Sequence, residues 1–136
     1  MSVPGTDPDA LTRTVTVDRA RLVAYAEASG DQNPIHQDAE VARSVGLPDV
    51  IAHGMWTMGA ALDVVTAYVG GDPGRVLSCR TRFTGMVVVP EGQTVEILVE
   101  GTVTARDHDA GTQTIAVTAT CAGDKVLGRC QAVVRV

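Results

Sequence analysis

Two side chains able to move protons, Asp31 and His36, stand five residues apart in the run Gly30-Asp31-Gln32-Asn33-Pro34-Ile35-His36. Pro34 stiffens this stretch and biases Asn33 to an extended conformation, so both side chains can face one pocket. An imidazole titrates near neutrality and a carboxyl group can be tuned upward by burial, so such a pair can deliver one proton while taking another. The same spacing also fits an aspartate that caps the turn beside a surface histidine, and spacing alone does not separate the two. A second feature adds weight. His53-Gly54-Met55 opens a strongly apolar helical segment, and a helix N-terminus presents unpaired N–H groups with partial positive charge. Glycine there lets a substrate oxygen approach the backbone. A proton-transfer pair beside an oxyanion site is what enolisation of a carbonyl compound requires. Gly54 equally suits tight helix packing, and His53 taken alone reads as a satisfied capping residue.

The elements that must position these groups are legible in the pattern. Leu11 to Val17 alternates as a half-buried strand. Asp18 can cap a helix carrying Leu22, Tyr25 and Ala26, which Gly30 ends near Ser29. A shorter helix fits Asp38 to Val45, with Asp38 as N-cap, Val41 and Val45 as its buried pair and Gly46 as terminator. Gly54 to Val69 is apolar on nearly every face and reads as a buried helix. Four strands are expected next, at Arg75 to Phe83, Thr94 to Ala105, Thr112 to Ala122 and Lys125 to Val136. Asp107 to Gly111 and Gly123-Asp124 are the hairpin turns among them. One buried helix followed by an antiparallel meander implies an α+β layering with the sheet curled around the helix.

The 136 residues suit one domain, preceded by a short flexible lead-in at 1–10 that lacks the basic start and apolar run of a signal peptide. With a net charge of −5, no basic stripe exists to meet nucleic acid, and membrane-surface binding is disfavoured. The stretch Val50 to Leu62 is too short to span a bilayer, so a cytoplasmic location is expected. Cys79, Cys121 and Cys130 lack C-x-x-C spacing and read as buried thiols rather than metal ligands or nucleophiles. Aromatic residues are only 3% of the chain, so the core must come from Val, Ala, Leu and Ile with the methyl groups of many Thr.

The run Ala28-Ser29-Gly30-Asp31-Gln32-Asn33-Pro34-Ile35-His36-Gln37-Asp38, followed by Gly46-Leu47-Pro48-Asp49-Val50-Ile51-Ala52-His53-Gly54-Met55, resembles the signature of the MaoC-like (R)-specific enoyl hydratases and 3-hydroxyacyl dehydratases. The likeness is nearest to the B-type catalytic subunit of the actinobacterial (3R)-hydroxyacyl-carrier-protein dehydratases. It extends over nearly all of the chain after residue 10, including Arg82-Phe83 and the Val89-Pro90 before Glu91. The resemblance implies a single hotdog fold over 11–136, its long central helix wrapped by a curved antiparallel sheet. It places the catalytic pair on Asp31 and His36, the oxyanion-hole amide on Gly54 and the supporting loop residues on Asn33 and Pro34.

The implied reaction removes water from a (3R)-3-hydroxyacyl thioester or adds it to a trans-2-enoyl thioester, with no cofactor and no metal. In the dehydration direction His36 is assigned as base at the α-carbon and Asp31 as the group handling the departing hydroxyl; exchanged roles remain open at this level. Some relatives carry a serine in the central helix where this chain has Leu62, and Asp63 beside it should point about 100° away. The substrate would arrive as a phosphopantetheine thioester on coenzyme A or an acyl carrier protein. Arg43, Arg75, Arg80 and Arg82 are candidates to meet the carrier's negative charge, with solvated arginines on a strand face as the plainer reading. Met55 and Trp56 are candidate substrate contacts, Trp56 more readily as core or interface than as tunnel wall. A homodimer, or a heterodimer with a related hotdog subunit, is implied. Two other classes stay open: a hotdog acyl-thioesterase, and a non-catalytic acyl-binding subunit, for which loss of Asp31 or His36 would be expected.

Overall fold

The computed structural model describes residues 3–136. After a short 3-10 turn at Pro8–Leu11, the chain forms β1 (Thr12–Val17), α1 (Arg19–Ser29), a second 3-10 turn at Pro34–His36, α2 (Ala39–Ser44) and α3 (Gly54–Tyr68). Strands β2 (Val76–Phe83), β3 (Val95–Asp107), β4 (Thr112–Cys121) and β5 (Asp124–Arg135) follow. The expected caps are in place. Asp18 accepts the N–H of Arg21, Asp38 accepts those of Glu40 and Val41, and Gly30 closes α1 at φ 80°.

The sheet is antiparallel with strand order β1-β3-β4-β5-β2. Only three of the four C-terminal strands therefore form the expected meander, because β2 crosses to the far edge beside β5 instead of pairing with β3. The reason lies in the connection 84–94, which is too long for a hairpin. It returns across the molecule, with Ala52 N–H donating to Val87 O and Val89 N–H to Val50 O.

Along β3 and β4 the burial alternates as the sequence does. Ile97, Val99, Ile115, Val117 and Ala119 point inward, while Glu96 and Glu100 face solvent. α3 lies on the inward face and touches all five strands, contributing Ala61, Val64, Val65 and Tyr68 to the core. Tyr68 is the one aromatic phenol there, and its hydroxyl donates to buried Gln113.

Two expectations are corrected. α3 is not buried all round: Met55, Gly59 and Asp63 form an exposed stripe, and Asp63 pairs with Arg13. α2 ends at Ser44 and buries Ala42 instead of a Val41/Val45 pair, because Val45 lies beyond the last turn and is exposed. In the segment before β1, Asp7 N–H donates to Tyr68 O and Arg75 donates to Gly5 O; residues 1 and 2 lie outside the described part.

Candidate functional site

The loop between α1 and α2 is built from short-range hydrogen bonds that its own residue types provide. Asp31 Oδ1 accepts the N–H of Asn33 at 3.2 Å, and Asn33 Oδ1 accepts that of Ile35 at 3.2 Å. These are Asx-type turns, and Pro34 fits the first position of the 3-10 turn because it has no N–H to satisfy. Asn33 is extended at φ −57° and ψ 124°, the bias that the following proline imposes.

The turn carries His36 inward until it is 8% exposed, while Asp31 stays at the surface. His36 Nδ1 lies 2.7 Å from Ile51 O. A carbonyl can only accept, so Nδ1 carries the hydrogen and, in the neutral ring, Nε2 keeps its lone pair. That acceptor is itself fixed. Residues 50–52 pair with 87–89, and Arg19 binds both Val89 O and Asp49 at 2.6 and 2.9 Å.

His53 follows directly and precedes α3. It is not the capping residue expected: its side chain makes no cap hydrogen bond, so the N–H groups of the first helical turn, Gly54 included, receive no acceptor from it. Its ring instead stacks on His36, with centroids 3.8 Å apart and planes 24° apart, and Nε2–H donates to Asp31 O at 3.1 Å.

Asp31, His36 and His53 each place a donor atom within 4.8 Å of the others. As they stand, the three do not converge on an ion. In-plane lone pairs of two nearly parallel rings cannot both reach a metal at about 2.1 Å.

His36 and Gly54 line one cavity of about 180 Å³ with Ile51, Thr57, Phe83 and Met86. This has room for the reacting end of a small acyl compound. A Cβ on Gly54 would lie 3.0 Å from the Phe83 ring, so a larger residue there would need that half-exposed ring to give by a few tenths of an ångström. His36 and Gly54 thus share the cavity, whereas Asp31 does not line it, although one of its carboxylate oxygens lies within 4.8 Å of a ring nitrogen of His36; Asn33 and Pro34 shape the loop between the two.

The other candidates lie elsewhere. Met55 and Trp56 line a separate groove with Tyr25 and Asp63, Met55 exposed and Trp56 half-buried against the core. Leu62 is half-buried, also packing on the core. Arg43 is spent on Pro48 O and Asp49, and Arg75 on the carbonyls of Gly5, Val69 and Arg135.

Arg80 and Arg82 stand on the outer face of β2 in a depression of about 510 Å³ with Arg129 and Gln131. Arg129 is a residue the sequence pattern does not disclose. It occupies the left-handed region at φ 48°, in a bulge where Arg80 pairs with Gln131 but Arg82 pairs with Gly128. Only glycine advertises that conformation in advance.

The thiols behave as packed side chains. Cys121 and Cys130 are buried and Cys79 partly so. Burial first, then the neighbouring Cys130, pushes the Cys79 thiol up to about 11, and burial raises Cys121 and Cys130 too. Raised values mean that the protonated, unreactive form dominates at pH 8. An aromatic disulfide reagent at pH 8 should therefore label the folded chain slowly and release three equivalents quickly once the chain is denatured; rapid labelling of the folded chain would contradict the packing.

A family profile described as MaoC like domain matches residues 1–122. The chain belongs to the MaoC-like family. Among MaoC-like relatives, a probable enoyl-CoA hydratase 2 from Dictyostelium discoideum is 38% identical over 90 residues, covering 65% of this chain and 30% of that protein. A solved MaoC-like dehydratase superposes with a TM-score of 0.88 at 38% identity, covering 91% of this chain and 38% of the other. An (R)-hydratase from A. caviae involved in PHA biosynthesis has the same fold at a TM-score of 0.76 and 24% identity, covering 99% and 98%. The chain spans less than a third of the length of the curated relatives it matches. The five-stranded sheet and its helix are therefore those of the MaoC-like hotdog, with the sheet left open.

Proposed function

We propose that the chain catalyses reversible syn hydration of trans-2-enoyl thioesters to (3R)-3-hydroxyacyl thioesters. One observation carries this reading: a surface carboxylate within 4.8 Å of a buried imidazole whose Nε2 is unspent, beside a helix-opening glycine on the same cavity. Names among the relatives, enoyl-CoA hydratase 2 and 3-hydroxyacyl-thioester dehydratase X, point the same way.

In dehydration, His36 Nε2 takes the α-proton and the electron pair moves toward the thioester oxygen, where Gly54 N–H meets the growing charge. The C–O bond at the β-carbon then breaks as the proton taken by His36 passes by way of the Asp31 carboxylate to the hydroxyl, and water leaves. The α-proton thus ends in the water, and the pair is back at its starting state. Hydration runs the same steps backwards, and no step draws on a cofactor. Leu62 supplies no hydroxyl, so Asp31, His36 and Gly54 carry the chemistry without that supporting contact.

Residues 11–136 act as one hotdog domain in the cytoplasm. The carrier is coenzyme A or an acyl carrier protein, whose phosphate or acidic face would meet Arg80 and Arg82 together with Arg129. Met55 and Trp56 border a second groove, open to a longer acyl chain or a partner's surface. The working unit is a homodimer or a heterodimer with a related hotdog subunit, supported by the edge strands β1 and β2, which each have a single neighbour. Among the described residues, no helix is long and apolar enough to cross a membrane.

The test is incubation of the chain with crotonyl-CoA and longer enoyl thioesters, following loss of enoyl absorbance, product configuration and free thiol. Formation of the (3R)-hydroxyacyl thioester without thiol release is expected. Thiol release would favour hydrolysis, and no change with any thioester would overturn the reading.

A further inference from the structure

His53 is a buried polar side chain whose chemistry the proposed reaction leaves unused. Its ring is 2% exposed, Tyr25 lies tilted against it at 4.7 Å, and its Nδ1 is buried without a hydrogen-bond partner. A buried acceptor left unpaired is costly, so space-filling alone would favour an apolar ring here. What an imidazole adds is a donor at one end and a flat face. Both are spent on the catalytic pair, through Nε2–H to Asp31 O and the stack on His36. The next residue in the chain is Gly54. One side chain therefore touches the peptide that carries the carboxylate and the ring of the base, and its own backbone leads into the oxyanion amide.

We propose that His53 is a positioning residue that sets the distance between Asp31, His36 and Gly54. It rests on the reading of the site given above. Asp31 needs such a brace because its carboxylate is exposed and its main chain is otherwise tied only to Ser29 Oγ. Small displacements of a reacting pair are expensive, about a hundredfold in rate for 1 Å.

Two substitutions separate bracing from filling. His53→Phe keeps a flat, buried ring and removes the donor, whereas His53→Gln keeps a donor near Nε2 and gives up the ring. Bracing predicts that His53→Phe lowers kcat for crotonyl-CoA hydration about ten- to a hundredfold with KM nearly unchanged, and that His53→Gln recovers part of that loss. Filling predicts the reverse order, with the Phe variant close to wild type, and that result overturns the proposal. Long-range imidazole 1H–15N spectra of the wild-type chain supply a readout independent of turnover and of whether either variant folds. His53 should carry its hydrogen on Nε2 and His36 on Nδ1; the opposite tautomer at His53 also overturns the proposal. A wild-type chain that leaves every enoyl thioester unchanged would instead sink the proposed reaction, and the spectra would still decide the brace.

Discussion

Asp31→Asn and His36→Ala should each reduce kcat for crotonyl-CoA hydration by about a thousandfold, the size expected when a general acid or base is removed. That is about 4 kcal/mol of transition-state stabilisation. Asp31→Asn is nearly isosteric, and its side-chain oxygen can still accept the Asn33 N–H that Oδ1 now accepts, so the loop should hold its shape. His36→Ala opens a space against the His53 ring and frees Ile51 O, which could cost stability as well as chemistry. His36→Asn guards against that confusion, because its amide can still donate toward Ile51 O while offering no base at the Nε2 position. Circular dichroism and thermal melts should show folded proteins in all three cases. Near-native rates in the folded variants would show that the site has been placed wrongly.

The second large effect is expected at Gly54. Proline is compatible with the first position of a helix and removes only an N–H that the helix itself does not use. His53 already has φ −61° and ψ 133°, a conformation that a following proline accepts. Gly54→Pro therefore deletes the amide while sparing α3. Its ring would meet Phe83, which is half exposed and can be trimmed, so the comparison is made in a Phe83→Ala background. Gly54→Ala/Phe83→Ala keeps the amide and should retain most of its activity. Gly54→Pro/Phe83→Ala should lose a further hundredfold or so in kcat, the usual effect of removing one oxyanion donor. Equal rates in the two double variants would mean that the thioester oxygen is not held by this amide.

Much of this site was legible because its signals are local. Asp18, Asp38 and Gly30 cap helices through contacts within a few residues, and the alternation along β3 and β4 follows directly from the pleat. The Asp31 to His36 turn is also a short-range object, written in Asx turns and one proline. What escaped depends on distant partners. The placement of β2 beside β5 is decided by the 84–94 connection pairing back onto 50–52, and no periodicity records that. His53 resembled a cap because it stands where a cap stands. Its real partners, 17 and 22 residues earlier in the chain, appear only when the fold closes. Arg129 shares a face with Arg80 and Arg82 only through a bulge held at positive φ.

The clamp of Arg19 on Asp49 and Val89 O has a bearing on substrate affinity. Both partners of the ion pair are largely shielded from solvent, at 22% and 17% side-chain exposure, and neither lines the cavity beside His36. Together with the 50–52 and 87–89 pairing, it immobilises the carbonyl that orients His36 before any ligand arrives. The conformational entropy of ordering this wall is thus lost once, when the chain folds, and not again at each binding event. In the proposed reaction, a thioester entering the cavity would surrender its own freedom but need not organise its host. Binding energy from the remote carrier arm would then be left to align the α- and β-carbons with Asp31 and His36.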